Sequence, residues 1–416
     1  MYPSSYSSSP SVEPSPVLSP DQSSKAGYLF IFLEIFSREG GIQSYVQDIF
    51  QSYLGLSDRA TTSPQPLPPA DVFLLRDGEN CTNPFTGGNL TFRYFKRQSV
   101  RWGRIGFAIA LLIYLVQHRP QRVFCGHIHL APLVWLLCKP LGIPYTVLTY
   151  GKEVWEPLPF FPRTALQQAD RLWTISRYSC DQACQANQLN PDKIQFLPCA
   201  VDGDRFLPGA KSPELLEQYG LADAMVLVTV ARLWSGDIYK GVDVTIRALP
   251  TIARTIPTVK YLVIGRGDDQ PRLAALAAEL GVADRVVFAG FVPTDALADH
   301  YRLADAYIMP SQEGFGIVYL EAMACGVPVL SGDADGSADP LQDGQLGWQV
   351  PHRNSEAVAQ ACIEILQNKL ALSQGLPHDR RCDGVWLRQQ AIDLFGKAAF
   401  QQQFASLLDN SRRGGK

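Results

Sequence analysis

The stretch PSQEGFGIVYLEAMACGVPVL, residues 310–330, places two glutamates on either side of a Gly-Phe-Gly turn in an otherwise apolar run. The preceding AYIMPS is typical of a buried strand, and IVYLEAMAC is typical of a helix. A glycine-rich turn before a helix offers backbone N–H groups to a phosphate. Glu313 and Glu321 are eight residues apart, a span of about 12 Å if all of it were helical. That span suits a nucleotide-sugar, with one carboxylate on the sugar hydroxyls and the other on the ribose.

Strand and helix patterns alternate along the rest of the chain. YLFIFLEIF, RVFC, PYTVLTYG and RLWTISR predict strands in the first half, and MVLVTVARL, KYLVIGRG, RVVFAGFV, AYIMPS and VPVLSG predict them in the second. This alternation is typical of parallel sheets covered by helices on both faces. At 416 residues the chain is also longer than one hydrophobic core normally supports. We therefore predict an α/β protein with two doubly wound, Rossmann-like domains that face a central cleft.

The predicted boundaries follow the changes in composition. The Ser- and Pro-rich segment 1–26 has no apolar stretch of the kind that a signal peptide needs, and it predicts a disordered tail. A segment with several glycines and prolines near Val201 separates a first domain, 27–205, from a second domain, 206–384. The final segment, 385–416, predicts a long helical region.

Charge and cysteine usage narrow the function classes. A net charge of −3 and a pI near 6.1 argue against nucleic acid as the main partner. The 9 cysteines are scattered, without the spacing of a zinc site. We expect them to be reduced thiols in a cytoplasmic protein.

Residues 93–116 combine a basic, aromatic flank with an apolar helix pattern. The apolar run IGFAIALLIYLV, 105–116, is shorter than the roughly 20 residues of a membrane span, so no spanning segment is predicted. The flank RYFKRQSVRWGR contains no acid and five cations: Arg93, Lys96, Arg97, Arg101 and Arg104. This pattern predicts peripheral contact with an anionic membrane, and the alternative is a buried core helix after a solvated basic loop.

Two cations are expected beside the glutamates. In VARLWSGDIYKGVDVTIRAL, Arg232 follows a predicted strand and Lys240 precedes a predicted helix. Both would then lie at the same edge of the cleft. Together they can stabilise a departing diphosphate, since arginine grips phosphate in a bidentate manner and lysine adds a point charge.

These motifs, with REGGIQSYV (38–46), IGRGDD and VVFAGFV in the same order, resemble the GT-B-fold retaining glycosyltransferases of the glycosyl transferases group 1 type. The E-x7-E motif of 313–321 is the most specific part of the likeness, which extends from Gly27 to the C-terminal helix. The resemblance implies an N-terminal acceptor domain, a C-terminal donor domain and a final helix that returns to the first domain. It also implies hexose transfer with retention of configuration, without a metal or cofactor.

The resemblance implies a role for each matching position. Glu313 would contact the donor sugar, Glu321 would hold the ribose, and Arg232 and Lys240 would neutralise the diphosphate. The remaining donor-binding positions would act chiefly through main chain, and they are Gly40, Gly41, Phe291, Val292, Gly314, Phe315, Gly316 and Ile317. UDP-glucose is the first expectation for the donor and GDP-mannose the second. The acceptor would be a saccharide or a lipid-linked acceptor, in polysaccharide or glycolipid synthesis. Assembly at the inner membrane face would suit the basic, aromatic flank of residues 93–104.

The sequence also departs from the family pattern. Where many relatives have an active-site histidine, this chain has Tyr150, followed by Lys152 and Glu153, so Tyr150 or Lys152 would take that role or acceptor handling would differ. His127 and His129 are interpreted as core residues. Asp333 and Asp335 form an Asp-x-Asp pattern that binds metal in a different glycosyltransferase fold, and no metal is expected here.

Three other functions stay open at this stage. A nucleotide-sugar epimerase would use the same donor without an acceptor. A non-catalytic partner subunit would fit the missing histidine. An NAD-dependent oxidoreductase is disfavoured, because GRGDDQ lacks the third glycine and the downstream acid of a dinucleotide-binding turn.

Overall fold

The computed structural model describes residues 27–59 and 67–413, which form two parallel sheets flanked by helices. The predicted disordered tail, 1–26, lies outside the described residues. The first sheet has seven strands in the order β3-β2-β1-β4-β5-β6-β7: β1 Tyr28–Phe32, β2 Ala70–Leu74, β3 Leu90–Tyr94, β4 Arg122–Cys125, β5 Tyr145–Thr149, β6 Arg171–Thr174 and β7 Ile194–Phe196.

Buried strands of this sheet are continuous apolar runs, as expected where helices cover both faces. All five residues of β1 are buried. The helices of this half of the chain are α1 Gly41–Arg59, α2 Val100–His118, α3 Ala131–Leu141, α4 Phe160–Gln167 and α5 Arg177–Asn187. Helices α2 and α3 cover one face of the sheet, and α1 covers the other.

The second sheet has six parallel strands in the order β10-β9-β8-β11-β12-β13: β8 Met225–Val230, β9 Val259–Ile264, β10 Val286–Gly290, β11 Ala306–Met309, β12 Val329–Gly332 and β13 Trp348–Val350. Its helices are α6 Pro213–Gln218, α7 Val242–Thr255, α8 Gln270–Glu279, α9 Leu297–Arg302, α10 Ile317–Ala324 and α11 Ser355–Ser373. This half repeats the strand order of the first, which confirms the prediction of two Rossmann-like domains.

The C-terminal region consists of two helices, where the sequence predicted one long helical region. Helix α12, Gly384–Phe395, packs against α10 of the second domain, and α13, Lys397–Arg413, packs against α1 of the first. The chain bends between them at Gly396, whose backbone pairs with Val201 where the chain first leaves the first domain. The rings of Phe400 and Phe404 pack edge-on against Tyr45 and Trp173 of the first domain. The return of the chain to the first domain is therefore confirmed.

Helix α2 is longer than its apolar run predicted. It has 19 residues, and by length and composition alone it is the one helix among the described residues that could cross a membrane. The expectation that no segment reaches this length is therefore corrected, because the basic, aromatic flank 100–104 is part of the helix. One side of α2 nevertheless packs on the sheet, where Phe107 and Tyr114 contact Phe73.

Candidate active site

The two glutamates lie at the point where the strand order of the second sheet reverses. In open α/β sheets, ligands bind at this point, beyond the carboxyl ends of the strands. Here β8 and β11 are neighbours. The loop 231–241 follows β8 and contains Arg232 and Lys240, and the loop 310–316 follows β11 and contains Glu313. Both loops face the carboxyl end of the first sheet. Gly314 lies against Tyr150 and Gly151, which follow β5, and Tyr239 lies against Lys152 of the same segment.

Glu313 is held in place by its own backbone and by a lysine. The Glu313 N–H donates to Oδ2 of the buried Asp335 at 2.7 Å, and its carbonyl accepts from the N–H of Gly336 at 2.8 Å. The Lys240 ammonium donates to the Glu313 carboxylate, and both side chains are partly exposed to the cleft. The pair is thus oriented before any ligand arrives, and its remaining hydrogen-bonding capacity faces solvent.

Arg232 lies in the same loop as Lys240 and forms an ion pair with Asp237. Its Nε donates to Oδ2 of the buried Asp237 at 2.5 Å, and the guanidinium remains exposed at the surface of the loop. The contact with Asp237 raises the pKa of Arg232. Asp237 therefore fixes the arginine through Nε, and the exposed guanidinium, which also interacts with the Tyr239 side chain, can still meet an anion.

Glu321 is one turn into α10, on a more buried part of the site. Burial raises its pKa to about 7, although the Tyr301 hydroxyl donates to its Oε2 at 2.7 Å and opposes that rise. A carboxyl with this pKa changes charge near neutral pH. The charge of Glu321, and with it the strength of the hydrogen bonds that its oxygens accept, therefore changes near neutral pH.

In the Gly-Phe-Gly turn, the glycine backbone begins helix α10 and the phenylalanine side chain packs in the core. Gly316 caps α10 with a φ of 89°, in the region that favours glycine. A Cβ there would lie 2.4 Å from the Tyr319 ring. Phe315 is buried and packs edge-on against Phe395 of α12. The predicted main-chain role of 314–317 is compatible with this geometry, since the first N–H groups of a helix have no i−4 partners; here the Tyr319 N–H bonds instead to the Gly316 carbonyl at 3.1 Å.

The loops expected at the nucleotide base lie at the edge of the same sheet. Val292 is buried, whereas Phe291 is exposed and stacks under the Arg266 guanidinium at 4.6 Å. Gly267 fits only as glycine, because a Cβ there would lie 1.7 Å from the Leu233 carbonyl oxygen. The IGRG turn therefore packs closely against the Arg232 loop, and its Arg266 forms a cation–π pair with the exposed Phe291.

The three residues at the first domain's edge have different surroundings. The Tyr150 hydroxyl donates inward to the Gly126 carbonyl at 3.0 Å, and Glu153 accepts from the Tyr150 N–H at 2.5 Å. Lys152 reaches across the cleft, with its ammonium 2.9 Å from the centre of the Tyr239 ring. Burial lowers the pKa of Lys152, and the nearby Glu313 opposes this shift. Of the three, Lys152 is the residue that approaches the glutamate–lysine pair.

Comparison with known proteins identifies the family. The family model described as Glycosyl transferases group 1 matches residues 224–368. The chain is 35% identical, over 279 residues, to a GDP-mannose-dependent alpha-(1-6)-phosphatidylinositol monomannoside mannosyltransferase of Mycolicibacterium smegmatis. That match covers 64% of this chain and 69% of the relative. The protein is a group 1 glycosyltransferase.

Other matches are shorter or more distant. A D-inositol 3-phosphate glycosyltransferase of Acidothermus cellulolyticus is 35% identical over 209 residues, or 48% of this chain and 46% of that protein. Among solved structures, a glycosyltransferase from Rickettsia africae has a TM-score of 0.71 at 16% identity, covering 93% of this chain and 98% of that one. Anabaena Alr3699/HepE in complex with UDP has a TM-score of 0.68 at 20% identity, covering 92% and 100%. These structures support the GT-B fold of the glycosyltransferase.

The remaining predicted positions of the glycosyltransferase lie apart from the glutamates. Gly40 and Gly41 are exposed where α1 begins, at the carboxyl end of β1. His129 is exposed and His127 is partly exposed at the end of β4, so neither is the core histidine that the sequence suggested. Burial, with His129 and Arg76 nearby, lowers the pKa of His127 to about 4.

The Asp-x-Asp pattern has a structural role in the glycosyltransferase. Asp335 supports the Glu313 loop and accepts from the Ser337 N–H at 2.8 Å, whereas Asp333 accepts from the His352 N–H at 3.1 Å. Within 27–59 and 67–413, no group of three or more His, Cys, Asp or Glu side chains is arranged to hold a metal ion.

Three features of the site were not found from the sequence. Arg177, at the start of α5, makes ion pairs across the cleft with Asp339 and Asp343 of the second domain. Asp77 is buried and accepts from three N–H groups of 35–37, which fixes the loop before Gly40. Arg266 covers Phe291. Each depends on contacts between residues far apart in the chain, and no local pattern marks them.

Proposed function

We propose that this glycosyltransferase moves a hexose from a nucleoside diphosphate sugar to an acceptor hydroxyl, with retention of anomeric configuration. The observation that supports this most directly is the Lys240–Glu313 ion pair beside the first turn of α10. It places a cation, a carboxylate and unpaired backbone N–H groups at one edge of the cleft. A diphosphate linked to a sugar needs this combination of donors and acceptors.

Each part of the nucleotide-sugar then has a protein partner. Arg232, Lys240 and the N-terminus of α10 receive the diphosphate, and they stabilise the charge that develops as the glycosidic bond breaks. Glu313 accepts from the sugar hydroxyls, and Glu321 accepts from the ribose. The leaving phosphate takes the proton of the acceptor hydroxyl, so the reaction needs neither a protein nucleophile nor a metal. Closure of the cleft excludes water and aligns the acceptor with the anomeric carbon.

GDP-mannose is the preferred donor in this proposal, ahead of UDP-glucose. Its support is the name of the mannosyltransferase that is 35% identical to this chain. The UDP-bound structure is only 20% identical, so it supports the fold alone. Stacked Phe291 and Arg266 offer a surface for either base.

The acceptor in this proposal is a saccharide or a lipid-linked alcohol used at the cytoplasmic face of a membrane. The two relatives at 35% identity are named for acceptors that contain phosphorylated inositol. This chain matches only 69% and 46% of their lengths, so acceptor identity rests on experiment.

A ligand screen tests the donor first. Thermal unfolding of the full chain is measured with GDP, GDP-mannose, UDP and UDP-glucose, with a chelator present throughout. Ligand binding to the native state raises the unfolding temperature by mass action. We expect the larger rise with GDP and GDP-mannose. A rise with the uridine compounds alone would reverse the donor assignment, and no rise with any of the four would contradict a nucleotide-sugar site.

A further inference from the structure

Helix α2 is apolar on both of its long sides, although only one side is covered. Its inner side packs on the sheet through Phe107, Leu111, Tyr114 and Leu115. The opposite side, which we call the α2 face, consists of large side chains that are between 44% and 70% exposed: Trp102, Ile105, Ile109, Leu112, Ile113 and Val116. Their spacing of three and four residues aligns them along the helix, over about 20 Å. A patch of this kind on a soluble protein indicates a partner.

A cationic cavity opens at the N-terminal end of the same helix. It has a volume of about 340 Å³ and is lined by five basic side chains, Arg38, Arg76, Lys96, Arg97 and Arg104. The acid in its lining is Glu34, which pairs with Arg38 at 3.4 Å and Arg76 at 3.6 Å. Lys96, Arg97 and Arg104 are exposed and form no ion pair with the described residues. The cavity therefore has unpaired positive charge and room for a phosphate group.

The cavity and the α2 face are continuous through α2 itself. Val100 and Arg104 line the cavity, while Trp102 and Ile105 begin the α2 face. A helix with an exposed apolar side, an interfacial tryptophan and a cluster of cations at one end has the features of an element that lies in a bilayer surface.

We propose that the α2 face lies on an anionic phospholipid membrane and that the cationic cavity holds a lipid phosphate. The inner side of α2 stays packed on the first sheet, so the helix lies along the surface and does not cross it. Charge favours this occupant over a second copy of the chain, because helix α2 contains no acid and Lys96, Arg97 and Arg104 form no ion pair within the described part of the chain. A self-complementary contact would leave these cations unpaired.

This inference rests on the proposed function, and it specifies the acceptor class. The cavity adjoins the carboxyl ends of β1–β3, the edge of the first sheet that faces the cleft. A phospholipid acceptor can then present its headgroup hydroxyls toward the cleft while its acyl chains stay in the bilayer.

Vesicle sedimentation tests the surface without any assumption about catalysis. The full chain is mixed with vesicles of phosphatidylcholine alone, or of phosphatidylcholine with phosphatidylglycerol, at low and high salt. We expect sedimentation with the anionic vesicles and its loss in salt, since exposed charges are screened. Failure to sediment with anionic vesicles would overturn the proposal. Free glycerol phosphate should not displace the protein, because it cannot occupy the α2 face, and complete displacement would also overturn the proposal.

Two pairs of variants assign the binding to this surface. Ile109→Glu with Ile113→Glu alters the α2 face, and Lys96→Glu with Arg97→Glu alters the cavity. Each should lower vesicle affinity at least about tenfold, because each basic residue near an anionic surface contributes roughly 1 kcal/mol. Matched controls are Val385→Glu of α12 and Arg254→Glu of the second domain, both exposed and outside the first domain. Equal losses in the controls, or no loss in the surface variants, would contradict the assignment.

Two further measurements distinguish failure of the membrane proposal from failure of the proposed transferase function. Each variant is tested for nucleotide binding by thermal unfolding, which verifies its fold and keeps the two proposals independent. Nucleotide binding without vesicle binding would contradict the membrane surface alone, and the reverse would contradict the transferase alone. Sedimentation equilibrium without vesicles detects a dimer, and a dimer abolished by the Ile109→Glu, Ile113→Glu variant would show that a second copy covers the α2 face.

Discussion

The two edges that face each other across the cleft are built differently. On the second domain, each charged group of the proposed donor site already has a protein partner: Lys240 with Glu313, Arg232 with Asp237, and Glu321 with Tyr301. On the first domain, the cations of the cavity beside α2 are largely exposed, with Glu34 as their acid. The first arrangement holds groups in position before the ligand binds, and the second leaves charge for the ligand to satisfy. The difference suggests a rigid site for a constant donor opposite an open site for a variable acceptor.

Loss of the glutamate–lysine pair should have the largest effect on activity. Glu313→Gln keeps the shape of the side chain but removes its charge beside Lys240. We expect sugar transfer to fall roughly 10²–10³-fold, the scale seen when one preorganised electrostatic group is removed. Release of nucleoside diphosphate from the nucleotide-sugar measures it, with exposed Glu217→Gln as the control. Wild-type turnover in Glu313→Gln would remove this residue from the reaction.

Backbone contacts at the cleft edge of the second domain should not tolerate added side-chain atoms. Gly267→Ala places a Cβ against the Leu233 carbonyl oxygen, so the loop that holds Arg232 must shift. We expect a loss of stability of about 1–3 kcal/mol, measured by denaturant unfolding. Gly106→Ala is the matched control, because a Cβ there meets nothing within 4 Å. In helix α2 it should stabilise by roughly 0.5–1 kcal/mol. Equal effects in the two variants would mean that the edge is less tightly built than its contacts indicate.

The pKa of Glu321 predicts a pH dependence of nucleotide binding. Because this pKa is about 7, the ionised fraction rises between pH 6 and 8, and ribose binding should strengthen with it. Glu321→Gln should bind about tenfold more weakly at pH 8 and lose this rise, while the titration of the nucleotide itself remains in both proteins. Isothermal titration across this range makes the measurement. Parallel pH profiles for the two proteins would contradict the assignment.

Stability should show the opposite trend with pH for the same carboxyl. The pKa of Glu321 is raised in the folded protein, from 4.5 to about 7, so the native state binds more protons than the unfolded state within that window. Its contribution to the free energy of unfolding therefore decreases as pH rises from about 4.5 to about 7. Ligand affinity and stability thus respond in opposite directions at this residue.

The smallest effect is expected where the two edges are joined. Arg177→Ala removes the ion pairs with Asp339 and Asp343 that link α5 to the second domain. Since exposed ion pairs contribute only about 0.2–1 kcal/mol, transfer should change by no more than about fivefold. Small-angle scattering of the ligand-free protein should report a larger radius of gyration as the cleft opens. An unchanged radius would indicate that other contacts hold the domains together.

The fold was largely predictable because strands buried on both faces leave continuous apolar runs. Four strands escaped prediction. Three of them are short or partly exposed: only one of the five residues of β3 is buried, and β7 and β13 have just three residues each. The fourth, β2, escaped although four of its five residues are buried. The position of Glu313, Arg232 and Lys240 at one edge of the second sheet was predictable for a related reason, since they lie in two local motifs that follow neighbouring strands. The first domain's edge was less predictable. Lys152 and Arg177 acquire their partners only when the two domains face each other.

Helix α13 has a consequence for how the protein is made. The first domain begins near residue 27, yet Phe404 and Leu408 of α13 belong to its core. During translation, that domain cannot be completed until α13 has left the ribosome, although its sheet was synthesised first. Tyr45 and Trp173 remain without their α13 neighbours for all of that time. The second domain lies within one continuous segment. It can fold while the first domain, although synthesised earlier, still lacks α13. Early termination at Gly396 would therefore damage the half of the molecule that is farthest from it in sequence.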